Sequence, residues 1–141
     1  MTPPKIKVFL VDDHPGTREG LRKLLEFEND MCVCGEAGSV VEAVTGITKS
    51  QPALVVVDLE LGKESGIQLT TRLRELQLKV PVMILSMHPE AVYAEDCLQK
   101  GAAGYLMKSE TPEQILLGLR EVLQGRIYLS PAMRTKRDRP I

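Results

Sequence analysis

Residues 5–15 read KIKVFLVDDHP. Val8, Phe9, Leu10 and Val11 form the continuous apolar run expected of a strand covered on both faces. The run stops at two adjacent carboxylates, Asp12 and Asp13, so charge sits where an inner strand leaves the core. Neighbouring carboxylates raise each other's pKa unless a cation lies between them. A positive group is therefore expected beside this strand end.

Four more apolar runs follow: MCVCGEA (31–37), ALVVVD (53–58), VPVMILS (80–86) and AGYLMK (103–108). The segments between them carry helix punctuation. Pro15 sits at a first helical position ahead of Leu21, Leu24 and Leu25. Ser39 with Glu42, Ser65 with Gln68, and Thr111 with Gln114 have capping-box spacing. After Thr111, Ile115, Leu116, Leu119, Val122 and Leu123 form one stripe, and Gly125 supplies a stop. The fourth helix, from Pro89 to Lys100, has Val92, Cys97 and Leu98 as its main apolar residues.

Strand then helix, five times over, implies an α/β fold with a doubly wound five-stranded parallel sheet. The expected domain spans residues 5–128. The remainder, 129–141, reads as a basic, proline-bearing linker or tail carrying Arg134, Lys136, Arg137 and Arg139, too short for a helix-turn-helix.

With 141 residues and a formal charge of −1, nothing global points to nucleic acid or an anionic membrane. No apolar run approaches the roughly 18 residues of a membrane span. The first residues, MTPPKIKV, lack the apolar core of a secretory signal. Cys32, Cys34 and Cys97 show no paired C-x-x-C pattern, and Cys32 and Cys34 alternate on one strand face as small packing residues. The cytoplasm is the expected compartment.

Doubly wound sheets place their sites at the carboxyl ends of the strands, near the switch in strand order. The first run ends at Asp12 and Asp13, the third at Asp58, the fourth at Ser86 and the fifth at Lys108. Three carboxylates on loops suit a hard divalent cation such as Mg2+, which accepts phosphate oxygens in its open positions. Such an ion would hold Asp58 ionised as a nucleophile, while Lys108 and Ser86 bound the other oxygens of an incoming phosphoryl group. That is the chemistry of phosphoryl transfer.

The motifs VDDHP, VVVDLELGKESG, ILSMH and GAAGYLMKS, in this order, resemble the receiver domain of bacterial two-component response regulators. DDHP and GRIYLSPAM are similar to the NarL/FixJ-type subgroup, whose members usually carry a LuxR-like helix-turn-helix after the receiver. The resemblance implies a flavodoxin-like (βα)5 fold and an upstream sensor histidine kinase. It also implies Asp58 as phosphoacceptor, Asp13 as direct Mg2+ ligand, Asp12 acting through water, and the Glu60 backbone carbonyl completing the metal shell. Ser86 and Lys108 match the hydroxyl and lysine that sense the phosphoryl group, and Tyr105 the aromatic position that turns inward as the switch residue moves.

Departures from the family pattern are local. Gly62 replaces a common proline, which implies a more mobile loop after Asp58. Ser109 replaces a proline that often follows a cis bond, so a trans bond is expected. Glu60 and His88 occupy variable positions beside the site, where they are expected to tune dephosphorylation, His88 chiefly as a surface residue.

The readout surface is expected on the fourth helix, fifth strand and fifth helix. Leu117 lies about 200° round its helix from Ile115 and faces away from the core stripe, as a partner or homodimer contact would. DNA would be reached only through an output domain missing from this chain. Two rivals remain. A Mg2+-dependent phosphatase of the haloacid dehalogenase type needs D-x-D after the first strand, where this chain has Asp12-Asp13-His14. A pure interaction module has no use for the full acidic set with Ser86 and Lys108. Neither G-x-G-x-x-G nor G-x-x-x-x-G-K-[ST] is present for nucleotide binding.

Overall fold

The computed structural model describes residues 4–131 and 133. The chain begins β1 (Ile6–Val11), α1 (Pro15–Glu26), β2 (Met31–Ala37), α2 (Val40–Ser50), β3 (Leu54–Asp58). A short hairpin follows, β4 (Glu60–Leu61) and β5 (Glu64–Ser65), then α3 (Gly66–Glu75) and β6 (Val82–Ser86). α4 (Glu90–Gln99), β7 (Gly104–Met107) and α5 (Pro112–Leu123) complete the unit.

The five long strands pair in the order β2-β1-β3-β6-β7, and every pairing is parallel. The chain leaves β1 for β2 on one side and returns to β3 on the other, so the order reverses between β1 and β3. Strand alternation divides the core into two layers. Phe9, Val11, Val55, Val57, Ile84 and Tyr105 pack with Ala43, Ile47, Leu69, Leu73 and Cys97 on one face. Val8, Leu10, Leu54, Val56 and Met83 pack with Leu25, Ile115 and Leu119 on the other.

Local chemistry explains the helix limits. Ser39 accepts from Glu42 N–H, and Ser65 with Gln68 and Thr111 with Gln114 form complete capping boxes. Gly125, at φ +86°, ends α5 in the left-handed conformation. α4 departs from the expected pattern. It packs through Ala94, Cys97 and half-buried Leu98, whereas Val92 is 66% exposed. Val92 lies two positions, about 200°, from Ala94 and so points to solvent.

The β4–β5 hairpin interrupts the strand–helix alternation after β3. Its two-residue turn, Gly62-Lys63, begins at φ +63°, which proline cannot adopt. Instead of a loosened loop, glycine here yields a paired hairpin with Leu61 buried. The bond preceding Ser109 is trans, as every described peptide bond is.

The packed unit runs on past α5. Tyr128 pairs with Gly104 on the outer edge of β7, and Leu129 and Met133 are buried in the core layer that holds Tyr105. The expected tail from 129 thus contributes to the core, while Arg134, Lys136, Arg137 and Arg139 lie outside the described residues. Among the described residues no helix is long and apolar enough to cross a membrane.

Truncating Leu129, which is 2% exposed, should reveal this packing. Leu129→Ala is expected to lower unfolding free energy by about 2–4 kcal/mol in urea denaturation. A change below about 0.5 kcal/mol would show that residues past Tyr128 do not belong to the folded unit.

Candidate functional site

Three strand ends at the carboxyl edge share one local device. The Asp12 carboxylate accepts from His14 N–H at 2.8 Å, Asp58 from Glu60 N–H at 3.0 Å, and the Ser86 hydroxyl from His88 N–H at 2.8 Å. Each is a side-chain bond to the backbone two residues on, which turns the chain as it leaves the sheet. Each bond also fixes a functional oxygen in place. Asp12, Asp58 and Ser86 are buried, at 2%, 5% and 0% exposure.

Strand order brings them together. β1 pairs with β3 through Val11 and Val57, so Asp12 and Asp58 emerge side by side at the switch point. Ser86 ends β6, the next strand, and its carbonyl accepts from Lys108 N–H at 2.7 Å. The Lys108 ammonium then lies 2.7 Å from Asp58 Oδ2 and 3.2 Å from Asp12 Oδ2. The α3 N-terminus packs so closely that a Cβ on Gly66 would sit 2.7 Å from the Asp58 carbonyl oxygen. Gly66 is thus required by proximity.

Two buried carboxylates share one ammonium. Burial pushes the Asp58 carboxyl above its ordinary value and Asp12 pushes the same way, against the pull of Lys108 and Glu60 N–H. Burial pulls Lys108 down, but the Asp58 and Asp12 carboxylates outweigh it and leave the ammonium raised. Asp13 adds a third, more exposed carboxylate. His14, to which the sequence reading gave no role, places Nδ1 3.1 Å from Asp12 Oδ1 and 3.0 Å from Asp13 Oδ1. Ligand atoms of Asp12, Asp13, His14 and Asp58 all lie within 4.8 Å of one another. With three carboxylates and one ammonium, the oxygen-rich donor set fits a hard divalent cation.

A profile of the response regulator receiver domain matches residues 8–120. The chain belongs to this family. Among its relatives, the oxygen regulatory protein NreC of Staphylococcus carnosus is 33% identical over 131 residues, covering 92% of this chain and 60% of NreC. The chain thus spans about three fifths of the length of relatives such as NreC. A LuxR-family two-component response regulator from Aurantimonas sp. SI85-9A1 superposes with a TM-score of 0.87 at 33% identity, covering 93% of this chain and 94% of that one. The signal receiver domain of NarL from Mycobacterium tuberculosis superposes at 0.82 with 31% identity, covering 88% and 100%. The likeness to LuxR- and NarL-type regulators agrees with the subgroup resemblance of DDHP and GRIYLSPAM.

Around the receiver's acidic centre, Tyr105 is already turned inward, at 0% exposure, with its hydroxyl donating to the His88 carbonyl at 2.8 Å. Burial pushes that phenol up to about 12, partly offset by the Ser86 hydroxyl beside it. The His88 ring reaches across to hydrogen-bond the Glu60 carboxylate, joining the loops after β3 and β6, and its other neighbour is the Tyr93 ring, 5.2 Å away. Leu117 is 53% exposed on α5, away from the core.

A raised Asp58 pKa gives the folded receiver the tighter hold on that proton. Asp58 therefore favours folding below the unfolded value of 3.8, and the benefit fades as pH rises through the folded value. At neutral pH its ionised form is a net cost. Metal-free Asp58→Asn should melt a few degrees above metal-free wild type at pH 7, with the gap closing as pH falls toward the carboxyl range. Differential scanning calorimetry across that range checks the sign. A lower melting temperature for the variant at pH 7 would refute it.

Proposed function

We propose that this receiver takes a phosphoryl group onto Asp58 from a sensor histidine kinase. What carries the reading is the pair of buried carboxylates, Asp12 and Asp58, bridged by Lys108 at the sheet's switch point. Such an arrangement tolerates added negative charge only with cations on hand, as phosphoryl transfer requires. An Asp58 carboxylate oxygen attacks phosphorus in line, forming a P–O bond as the P–N bond of the phosphohistidine breaks and its electrons return to the imidazole.

Mg2+ is the cation this donor set favours. Asp13, Asp58 and the Glu60 backbone carbonyl would hold it directly, with Asp12 acting through water. When bound, the ion neutralises charge on the phosphoryl oxygens. The chain's own groups do the rest. Glu60 N–H fixes the Asp58 carboxylate, Lys108 pairs with the incoming oxygens, and Ser86 moves to donate its hydroxyl. The receiver acts as a signalling module that catalyses only its own phosphorylation and dephosphorylation.

Phosphorylation shifts the population of two arrangements because the phosphoryl group makes different contacts in each. Ser86 and Lys108 end β6 and adjoin β7, so α4, β7 and α5 form the readout surface. Leu117 serves there in homodimer contact. A DNA-binding domain beyond this chain, in a cytoplasmic transcription regulator, is the output. Exposed Glu60 and half-buried His88, bridging two loops above Asp58, tune the lifetime of the aspartyl phosphate.

Incubation with acetyl phosphate and Mg2+ should add one phosphoryl group to the intact mass of wild type and none to Asp58→Asn. Omitting Mg2+ should abolish the gain. Sustained hydrolysis of small phosphate esters would instead point to the phosphatase class. For the dimer contact, Leu117→Glu should weaken self-association of the phosphorylated form about tenfold in analytical ultracentrifugation while leaving phosphorylation intact. Equal association of both proteins would remove Leu117 from the interface.

A further inference from the structure

Glu90 opens α4, two residues beyond the His88 whose N–H holds the Ser86 hydroxyl. An acid in a first helical turn is favourable in itself. This one is also claimed by a residue 40 positions away: Glu90 Oε2 accepts from Ser130 N–H at 2.8 Å, and Oε1 accepts from the Ser130 hydroxyl. Ser130 in turn accepts from Met133 N–H at 3.4 Å, capping the helical turn that begins at Pro131.

Other bonds hold the same segment. Tyr128 N–H donates to the Ala103 carbonyl at 2.9 Å, and Tyr105 N–H donates to the Tyr128 carbonyl at 3.1 Å. Leu129 and Met133 sit in the layer that contains Tyr105, Ala94 and Cys97. Tyr105 donates to His88, and His88 donates to Ser86. A continuous set of contacts therefore runs from the phosphoryl-facing strand end to the chain leaving the domain.

We propose that Glu90 and Ser130 form a latch that couples phosphoryl binding at Asp58 to the freeing of Ser130 from the start of α4. The inference rests on Asp58 being the phosphoacceptor. As the Ser86 hydroxyl shifts toward β3 to donate to a phosphoryl group, the His88 N–H that it accepts from either follows or loses its acceptor. Either change displaces the start of α4 and pulls Glu90 from Ser130. Both latch residues are only half-buried, so water can satisfy them once they part, and the latch opens while Leu129 and Met133 keep their places in the core. The latched arrangement opposes phosphoryl binding. By reciprocity, weakening the latch must tighten it.

The test uses the 141-residue chain with Mg2+ and beryllofluoride, a stable analogue of the aspartyl phosphoryl group. In wild type, amide exchange at the Ser130 N–H should quicken at least about fivefold when beryllofluoride saturates the site. Glu90→Gln and Ser130→Ala should each bind beryllofluoride about fivefold tighter than wild type by titration calorimetry. Unchanged exchange in saturated wild type, or unchanged or weaker binding in both variants, overturns the latch while leaving Asp58 as acceptor. Wild type that binds no beryllofluoride overturns the acceptor reading, and the latch falls with it.

Discussion

The site turns on one shared ammonium. Asp12 and Asp58 leave adjacent parallel strands at buried positions, and the Lys108 ammonium touches both. Removing one partner of a buried ion pair costs about 3–5 kcal/mol, because it leaves an uncompensated charge behind. Here the imbalance exists already, with burial holding Asp58 above its ordinary pKa despite the lysine. The fold thus maintains a standing demand for further positive charge at the switch point. A divalent cation would meet that demand, and His14 Nδ1 already lies between the Asp12 and Asp13 carboxylates.

Holding such a site requires backbone that turns sharply without leaving polar groups unpaired. The strand-end side chains provide this, since the oxygens of Asp12, Asp58 and Ser86 each take the N–H two residues on. No buried side-chain nitrogen or oxygen among the described residues lacks a partner. The same economy makes the site responsive. The Ser86 oxygen already accepts from its own loop, so a displacement of that oxygen either carries the His88 N–H along or breaks the bond, and the loop after Ser86 leads directly into α4.

Past α5, the chain covers the outer edge of β7. An open edge strand presents unpaired backbone groups, and the pairing of Tyr128 with Gly104 blunts it. Leu129 and Met133 then fill the layer beside Tyr105. The segment past α5 is therefore part of the core, packed beside Tyr105.

By itself the sequence determined the five strands, the helix caps and the identity of the strand-end residues. Those features are local: apolar runs such as Leu54–Val57, the spacing of Ser65 to Gln68, a charge at the last residue of a run. Tertiary structure alone decided the strand order, and with it whether Asp12, 96 residues from Lys108, shares an ammonium with Asp58. It likewise decided that Val92 faces solvent, that Gly62 starts a hairpin, that His88 reaches Glu60, and that Ser130 meets Glu90. Signals for some of these were present, Gly62-Lys63 as a two-residue turn and Ser130-Pro131 as a helix start. Their partners lie far along the chain, and local periodicity carries no information about which distant group a half-buried side chain will find.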